Sequence, residues 1–459
     1  MYRFYINNVN NDYHYSELAR VFLADDDFEV ITVRFSNPVN LSLGDNSYMV
    51  NSDGSDDRDT IKRELYRLLC DITGSSSDWG TLTGVRPLKL ALELHDKYDS
   101  ISKMQEDLRT VYLVSEEKID LLTDIAEYQL ANIDRNPSDK MGLYIGIPFC
   151  PTRCAYCSFA SNVAGAPAIE KYLNNLLKEI EYMGHLTRTH SSKIESVYIG
   201  GGTPTTLNAD QLNRLITKTR DEFGLNLNSI EFTVEAGRPD TITADKLDTM
   251  RQLGISRISI NPQSMKDETL RLIGRDHCSD DIRNGYKLAE DYGFDVINAD
   301  LIAGLPGEDI NDFKASLDEV MSIGANNITV HTLSVKRGSR LKDKDPEYYR
   351  RNAEMVADML RYARKRLKEE GYYPYYIYRQ KHQIGALENV GYCKAGKHSI
   401  YNIRIMEEKQ TIIGLGCGAI GKVYYPDENR LERIPNVSNY EVYSERFDEM
   451  LERKNKYYE

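Results

Sequence analysis

The chain is 459 residues long, contains 41% hydrophobic and 10% aromatic residues, and carries a formal net charge of −13. A chain of this length is expected to form two or three domains, and its apolar content excludes a wholly disordered chain. The acidic balance argues against nucleic acid or an anionic membrane surface as a partner, because both bind cationic faces.

Targeting signals and cysteine usage indicate the compartment. The N-terminal segment lacks a basic stretch followed by an apolar core, so we expect no secretory signal. No run approaches roughly 18 uninterrupted apolar residues, so we expect no membrane insertion. Three of the seven cysteines fall within eight positions, and in a reducing compartment such clusters bind metal more often than they form disulfides. We therefore predict a cytoplasmic protein.

Residues 1–135 are predicted to form a small N-terminal α/β domain. Short apolar stretches such as EVITVRF alternate there with helical patterns such as RDTIKRELYRLLCDIT. The polar segment DRNPSDKM, residues 134–141, has the composition of a linker to the next domain.

Residues 142–342 are predicted to form a partial (β/α)6 barrel. Six short apolar runs alternate with amphipathic stretches, a pattern typical of parallel strands with helices packed outside the sheet. Polar or glycine-rich sequences follow the runs, and in barrels of this kind the chemistry gathers at the carboxyl ends of the strands. The sequences at these ends are IPFC, GGGTP, TVEAG, NPQS, NADLIAGLPG and HTLS.

Residues 343–459 are predicted to form a C-terminal extension that covers the mouth of the barrel. We expect a long helix from about Pro346 to Gly371, then a tyrosine-rich segment and one strand over TIIGLGCGAIGKV. Gly416, Gly418 and Gly421 copy a dinucleotide fingerprint, but no helical pattern follows them, so we predict a close-approach loop instead.

Cys150, Cys154 and Cys157 lie on a short loop directly after the first barrel strand. Three thiolates can hold three irons of a [4Fe-4S] cluster and leave the fourth iron open to the amino and carboxylate groups of S-adenosylmethionine. An electron from the cluster would break the sulfonium carbon–sulfur bond and release a deoxyadenosyl radical. The alternatives are a disulfide or a structural zinc, which needs four ligands and has His185 and His190 as its nearest histidines.

These motifs resemble the radical S-adenosylmethionine superfamily and, within it, the HemN-like branch of oxygen-independent coproporphyrinogen oxidases. The resemblance is carried by YxGIPFCPTRCAYC, GGGTP, the pair Pro262–Gln263 and DLIAGLPG. Two further blocks, WGTLTGVRP and LENVGYCKAGKHSIYNIRIMEEKQTIIGLGCGAIGKV, are similar to the HemZ-type coproporphyrinogen III dehydrogenases. With them, the resemblance spans most of the chain.

The resemblance implies that the barrel binds one or two molecules of S-adenosylmethionine. Tyr144, Gly201 and Glu235 match positions around the first molecule, and Ile420 is a candidate contact to adenine. The positions that match those around a second molecule are Tyr156, Gly202, Thr203, Gln263, Arg275, Asp300 and Ser334. The chemistry of these side chains suits the ligand, because Asp300 and Gln263 can bond hydroxyls and Arg275 offers a planar fork to a carboxylate.

Several of these residues also have a plainer interpretation. Glu235 could cap a helix, Arg275 could be a solvated charge at a helix end, and the glycines could form a tight turn between strand and helix. The tyrosines of residues 372–378 could pack in a core or form a platform for a porphyrin. Cys278, Cys393 and Cys417 stand apart from each other and are interpreted as structural.

The resemblance further implies oxidative decarboxylation of two propionates of coproporphyrinogen III, a tetrapyrrole, to give protoporphyrinogen IX. Arg153, Arg238 and Arg275 are candidates to bind the propionates, and a reduced flavodoxin- or ferredoxin-like protein is the expected electron donor. A radical haem-degrading enzyme and a haem-binding carrier without decarboxylase activity are the alternatives. Phe159 stands where the best-characterised members of the branch carry a further cysteine, and relatives that carry or degrade haem also have Phe there.

Overall fold

The computed structural model describes residues 1–7, 9–34, 45–50, 57–135, 137, 139–158, 161–188, 193–336, 348, 352–381 and 383–458. Phe159, His190 and the first residues of the helix expected near Pro346 lie outside the described residues. The chain divides into two compact units, Met1–Tyr128 and Gln129–Glu459.

In the first unit, the described residues form a three-stranded parallel sheet with the order β2-β1-β3. Its strands are β1 (Tyr2–Asn7), β2 (Phe28–Val33) and β3 (Ser47–Val50). Apolar side chains of the first strand and of the first two helices are fully buried together, among them Phe4, Leu18 and Leu65. The helices are α1 (Tyr13–Phe22), α2 (Arg58–Thr73), α3 (Pro87–Tyr98), α4 (Ile101–Thr110) and α5 (Glu116–Asn132).

The described part of the second unit is built on an 11-stranded sheet whose central six strands are parallel and follow each other in sequence order. These strands are β4 (Lys140–Ile147), β5 (Lys193–Gly201), β6 (Glu231–Glu235), β7 (Arg257–Ser259), β8 (Val296–Ala303) and β9 (Asn327–Thr332). Each one coincides with one of the six apolar runs. The predicted partial (β/α)6 barrel is therefore confirmed.

Helices connect the parallel strands, as the amphipathic stretches predicted. They are α6 (Ala166–Thr187), α7 (Ala209–Glu222), α8 (Ala244–Gln252), α9 (Asp267–Leu272), α10 (Ser279–Asp291) and α11 (Ile310–Ser322). Helix α7 shows how the sequence sets a boundary, because Asn208 and Gln211 form a reciprocal capping box at its start. Among the described helices of the whole chain, none is long and apolar enough to cross a membrane.

C-terminal strands extend the central sheet at both edges, which the sequence did not predict. Strands β10 (Tyr373–Arg379) and β11 (Glu388–Cys393) continue it beyond β9, and β12 (Thr411–Leu415), β13 (Ile420–Tyr425) and β14 (Arg430–Pro435) continue it beyond β4. The prediction of one strand over TIIGLGCGAIGKV is wrong. Gly416 and Gly418, with φ angles of 84° and 73°, turn the chain between β12 and β13.

Helix α13 (Ile400–Glu407) lies at the amino ends of the parallel strands, opposite the cysteine loop. Glu231, the first residue of β6, accepts hydrogen bonds from the backbone N–H groups of Ile400 (2.7 Å) and Tyr401 (3.0 Å). This part of the extension therefore lies at the bottom of the barrel. The C-terminal helices are α12 (Ala353–Glu369), α13 (Ile400–Glu407), α14 (Tyr440–Glu445) and α15 (Phe447–Tyr458).

Candidate active site

The cysteine loop leaves the carboxyl end of β4 and is held at both ends by backbone hydrogen bonds. The N–H of Cys150 donates to the carbonyl of Asn162 (3.0 Å), and the N–H of Asn162 donates to the carbonyl of Pro148 (2.9 Å). Further along, the N–H of Ala155 donates to the carbonyl of Ile273 (2.8 Å), between α9 and α10. These backbone hydrogen bonds set the shape of the loop that carries the three thiols.

The glycine-rich turn after β5 lies directly against the cysteine loop. The N–H of Gly202 donates to the carbonyl of Ile147 (2.8 Å) and the N–H of Thr203 to the carbonyl of Phe149 (2.7 Å). A Cβ atom added to Gly202 would lie 2.5 Å from the Phe149 oxygen and 3.0 Å from the Cys150 sulfur. Glycine is required here by close approach of two backbones, so the turn and the loop form one structure.

One cavity of about 350 Å³ brings most of the predicted site residues together. Its volume is within the range of small-molecule and cofactor sites. Ser334 lines it from the end of β9. Tyr144 and Ile420 do not line it: Tyr144 stacks behind Tyr198, with ring centroids 6.3 Å apart, and Ile420 is 47% exposed on β13. The other predicted residues in its lining are Cys150, Cys154, Cys157, Tyr156, Gly201, Gly202, Thr203, Glu235, Gln263, Arg275 and Asp300.

The thiols fit the donor set that a three-cysteine cluster requires. None of the three cysteines forms a disulfide, all three are partly buried, and they line the same cavity. Burial raises the pKa of the Cys150 thiol, while a hydrogen bond from the Thr203 hydroxyl (3.5 Å) opposes that shift. Among the described residues, no group of three or more His, Cys, Asp or Glu side chains is arranged around a single metal position.

Glu235 ends β6 with its carboxyl group in the cavity. Burial and the charge of Asp300 raise the pKa of Glu235 to about 8, against the N–H of Gly201 and the charge of Arg275. A carboxyl group in this state can donate one hydrogen bond and accept others near pH 7. This chemistry suits contact with a polar ligand.

Asp300, on β8, is the centre of a polar network across the cavity wall. Asn298 Nδ2 donates to Asp300 Oδ1 (2.9 Å), and His331 Nε2 lies 3.6 Å from Asp300 Oδ2. Burial opposes ionisation of Asp300, yet His331, Asn298 and Arg275 together hold its pKa below the usual value. The Tyr378 hydroxyl, 3.1 Å from His331 Nδ1, in turn fixes the imidazole ring. Asp300 therefore presents a carboxylate next to the largely protonated Glu235.

Arg275 is held in the cavity wall instead of projecting into solvent. It is 6% exposed, Nη1 donates to the Asn261 carbonyl (2.5 Å), and Nη2 lies 3.5 Å from the Tyr156 hydroxyl. The buried Nε atom has no hydrogen-bond partner among the described residues. A buried donor without a partner is costly, which is consistent with a site that a ligand completes.

Gln263 lies in the same wall in an unusual backbone conformation. It has a φ of 69°, and its N–H donates to the Asp300 carbonyl (2.8 Å). A non-glycine residue in this region stores strain that is typical of binding and catalytic sites.

Of the three arginines considered for propionate binding, Arg238 is already engaged. Its guanidinium group binds both carboxylate oxygens of Asp240 (3.0 and 3.1 Å) and donates to the Thr152 hydroxyl (2.6 Å) in the cysteine loop. His277 lies 3.4 Å from Asp240 on the other side. This arrangement supports the loop. Arg153 is exposed on that loop.

Several residues that were not predicted from the sequence also line the cavity, and they come from distant parts of the chain. His331 lies near the end of β9 and could have been found as a polar residue at a strand end. Asn402 and Met406 of α13 reach the cavity from its floor, and no local pattern indicates this. Tyr376 and Tyr378 line the cavity while Tyr375 is fully buried, so the tyrosine run serves both as core and as wall. Cys278 instead caps α10.

The fold and the three-cysteine loop define a radical S-adenosylmethionine protein, and a profile of the Radical SAM superfamily matches residues 144–320. A [4Fe-4S] cluster and S-adenosylmethionine are the cofactors of this superfamily. In structure, the chain is similar to coproporphyrinogen III oxidase HemN from Escherichia coli, with a TM-score of 0.55 and 24% identity over 71% of this chain and 73% of that one. This likeness supports the fold.

Two relatives indicate the branch of the superfamily to which the chain belongs. The oxygen-independent coproporphyrinogen-III oxidase-like protein HemZ of Bacillus subtilis (strain 168) is 43% identical over 88% of this chain and 81% of its own length. The haem chaperone HemW of the same organism is 30% identical over 61% of this chain and 70% of its own length. The chain belongs to the HemZ family within the HemN-like branch of radical S-adenosylmethionine proteins.

Proposed function

We propose that the chain binds its cluster through Cys150, Cys154 and Cys157 and decarboxylates coproporphyrinogen III to protoporphyrinogen IX without oxygen. The observation that carries the proposal is that the three thiols share one cavity with groups suited to S-adenosylmethionine. Arg275 suits its carboxylate, and Glu235 and Asp300 suit its ammonium and hydroxyl groups. Similarity to HemZ supports a tetrapyrrole as the substrate.

When bound, the cluster and S-adenosylmethionine supply a deoxyadenosyl radical that takes one hydrogen atom from carbon. On each propionate, removal of a hydrogen atom from the carbon next to the ring is followed by loss of carbon dioxide and one electron, which leaves a vinyl group. The electron passes to an external acceptor. Reduction of the cluster by a flavodoxin- or ferredoxin-like donor is part of the proposal.

The residues of the chain contribute positioning and exclusion of water. Glu235 holds a proton and can donate it in a hydrogen bond, whereas Asp300 accepts. Tyr198, Tyr376 and the floor residue Met406 line the cavity with apolar surface. Such walls limit side reactions of reactive intermediates with solvent. A second molecule of S-adenosylmethionine, near Gln263 and Arg275, also belongs to the proposal.

A haem carrier is the second candidate, and its support is the 30% identity with the haem chaperone HemW. Phe159 agrees with this candidate, because the best-characterised decarboxylases of the branch have a further cysteine at that position. The two candidates share the cluster and differ in whether the tetrapyrrole is converted.

Anaerobic reconstitution, followed by incubation with reductant, S-adenosylmethionine and either coproporphyrinogen III or haem, separates the candidates. Deoxyadenosine with protoporphyrin products supports the decarboxylase. Tight haem binding without product supports the carrier, and consumption of haem supports degradation. Cys154→Ala should abolish activity and lower iron content, while Cys70→Ala, on α2, should change neither. Wild-type protein without iron after reconstitution would refute the proposal.

A further inference from the structure

Phe149, the residue before the first cysteine, is packed between two parts of the chain. It is 1% exposed, and its ring meets the rings of Tyr172 on α6 and Tyr440 on α14 edge-on, each with centroids 5.3 Å apart. The Phe149 carbonyl accepts the hydrogen bond from the N–H of Thr203 described above. The position of Phe149 therefore depends on C-terminal residues as well as on the barrel.

Tyr172 ties the start of the cysteine loop to the turn between β12 and β13. Its hydroxyl donates to the Gly146 carbonyl (2.5 Å) and accepts from the N–H of Cys417 (2.9 Å). Its ring also packs on Tyr443 of α14, with centroids 5.4 Å apart. A Cβ atom on Gly146 would lie 2.8 Å from the Cys417 carbonyl oxygen, so the two backbones are in direct contact.

A buried ion pair fastens this assembly. Glu179 on α6 and Lys454 on α15 are 0% and 2% exposed and are hydrogen-bonded to each other. Glu179 also accepts from the Tyr443 hydroxyl (2.6 Å), the N–H of Gly416 (2.7 Å) and Asn436 Nδ2 (2.9 Å). Burial opposes ionisation of Glu179, but these donors hold its pKa below the usual value.

We propose that α14 and α15 form a clamp that positions the cysteine loop, with Lys454 and Tyr443 as its positioning residues. The path runs from Lys454 through Glu179 and Tyr443 to Tyr172, and from there to Phe149. These C-terminal residues lie outside residues 144–320, which the superfamily profile matches. The inference rests on the proposed cluster at the three cysteines, because the expected effect of the clamp is to slow the loss of that cluster.

The physical reason is the cost of an unpaired buried charge. Lys454→Met leaves the Glu179 carboxylate without its cation, so the clamp opens more often. A loop that opens more often exposes its iron–sulfur bonds to water and chelators. Replacing both partners, in Glu179→Gln with Lys454→Met, removes the unpaired charge and should restore most of the packing.

The test compares hydrogen exchange in the cluster-free chain and chelator-driven bleaching in the reconstituted chain. For Lys454→Met we expect about tenfold faster exchange at the amides of Cys150 and Thr203, and about tenfold faster bleaching. The double variant should recover both rates. Lys456→Met is the matched control, because Lys456 is exposed on the same helix and should change neither rate.

Two outcomes would overturn the clamp. In the first, exchange accelerates in α15 while the Cys150 and Thr203 amides keep their wild-type rates. In the second, Lys456→Met acts as strongly as Lys454→Met. If Lys454→Met does not fold, Tyr443→Phe serves instead, because it removes the hydrogen bond from the Tyr443 hydroxyl to Glu179. Hydrogen exchange is then measured at the same amides, those of Cys150 and Thr203. Hydrogen exchange needs no cluster, so failure of the proposed function would show separately as absent iron.

Discussion

His331 Nε2 lies 3.6 Å from Asp300 Oδ2, across the gap between neighbouring strands β9 and β8. The imidazole is held from its other side by the Tyr378 hydroxyl, 3.1 Å from Nδ1. Three strands, β8, β9 and β10, thus converge on one carboxylate in the cavity wall. The pair matters because His331 contributes to the low pKa of Asp300 despite its burial.

We expect His331→Ala to weaken binding of S-adenosylmethionine to the reconstituted protein about tenfold, or about 1.4 kcal/mol. The physical reason is that Asp300 loses a neighbour that favours its charged form. Anaerobic isothermal titration measures the effect. His185→Ala, at an exposed position on α6, should bind as wild type. If His331 acts through Asp300, adding His331→Ala to Asp300→Asn should cost little more. Additive losses would contradict this relationship.

Gly202→Ala should lower iron content after reconstitution. The added Cβ would lie 2.5 Å from the Phe149 oxygen and 3.0 Å from the Cys150 sulfur, and neither the backbone nor the ligand sulfur can move aside cheaply. We expect a stability loss of about 1–3 kcal/mol as well. Iron and sulfide analysis with an absorption spectrum measures the first effect.

Gly84→Ala is the matched control, because a Cβ there would meet no atom within 4 Å. Its iron content and stability should equal those of the wild type. Equal iron content in Gly202→Ala and Gly84→Ala would show that the close contact between the turn and the cysteine loop is not needed for the cluster.

The strand ends and the cysteine loop could be predicted from the sequence because both depend on local signals. Apolar runs of the right length specify buried parallel strands, and thiols at short spacing specify a shared ligand. Gly416 and Gly418 carry such a local signal as well, because two glycines with positive φ end one strand before the next begins. The apolar residues on both sides of them predict a single strand, and here the glycines decide the structure.

Contributions from distant residues could not be predicted in this way. Asn402 and Met406 enter the cavity because contacts between distant residues hold α13 in place, among them the hydrogen bond from Ile400 to Glu231, 169 positions earlier in the chain. Ile420 lies within the glycine-rich segment from Gly416 to Gly421, which predicted a contact to the ligand. Strand β13 pairs antiparallel to β12, however, and this pairing places Ile420 at an exposed position. Contacts between distant residues determine both the position of α13 and the exposure of Ile420, and residue spacing in the sequence does not predict such contacts.

Glu235→Gln should change how the stability of the cluster-free chain depends on pH. The folded chain keeps the Glu235 proton up to about pH 8, whereas an ordinary glutamic acid releases it near 4.5. Between these values the folded state binds more protons than the unfolded state, so stability falls as pH rises, by at most about 1.4 kcal/mol per pH unit. The glutamine variant lacks this contribution.

Urea unfolding at pH 5.5 and 7.5 measures the difference. Glu235→Gln should gain stability relative to wild type at the higher pH and gain less at the lower one. For Glu268→Gln, at an exposed position on α9, the free energy of unfolding should change with pH as it does in the wild type. An equal difference between Glu235→Gln and wild type at both pH values would mean that Glu235 is already ionised in the folded chain.

Arg404 provides a test of the cavity floor, because it fastens α13 to β5. It is 1% exposed and binds both carboxylate oxygens of Glu195 (2.9 and 3.2 Å) as well as Glu407 (3.1 Å). Arg404→Met removes this guanidinium from Glu195 and Glu407, although Lys140 still lies 3.3 Å from Glu195. We expect the free energy of unfolding to fall by about 3 kcal/mol. Calorimetric unfolding measures the change.

Arg404→Lys keeps the charge but not the planar fork, so its loss should lie between those of wild type and Arg404→Met. Arg271→Met removes an exposed ion pair with Glu268 and should stay within about 0.5 kcal/mol of wild type. Since α13 carries Asn402 and Met406 into the cavity, Arg404→Lys should also weaken binding of S-adenosylmethionine more than Arg271→Met does. If Arg404→Lys is less stable than wild type but binds S-adenosylmethionine equally well, α13 contributes to stability and not to ligand binding.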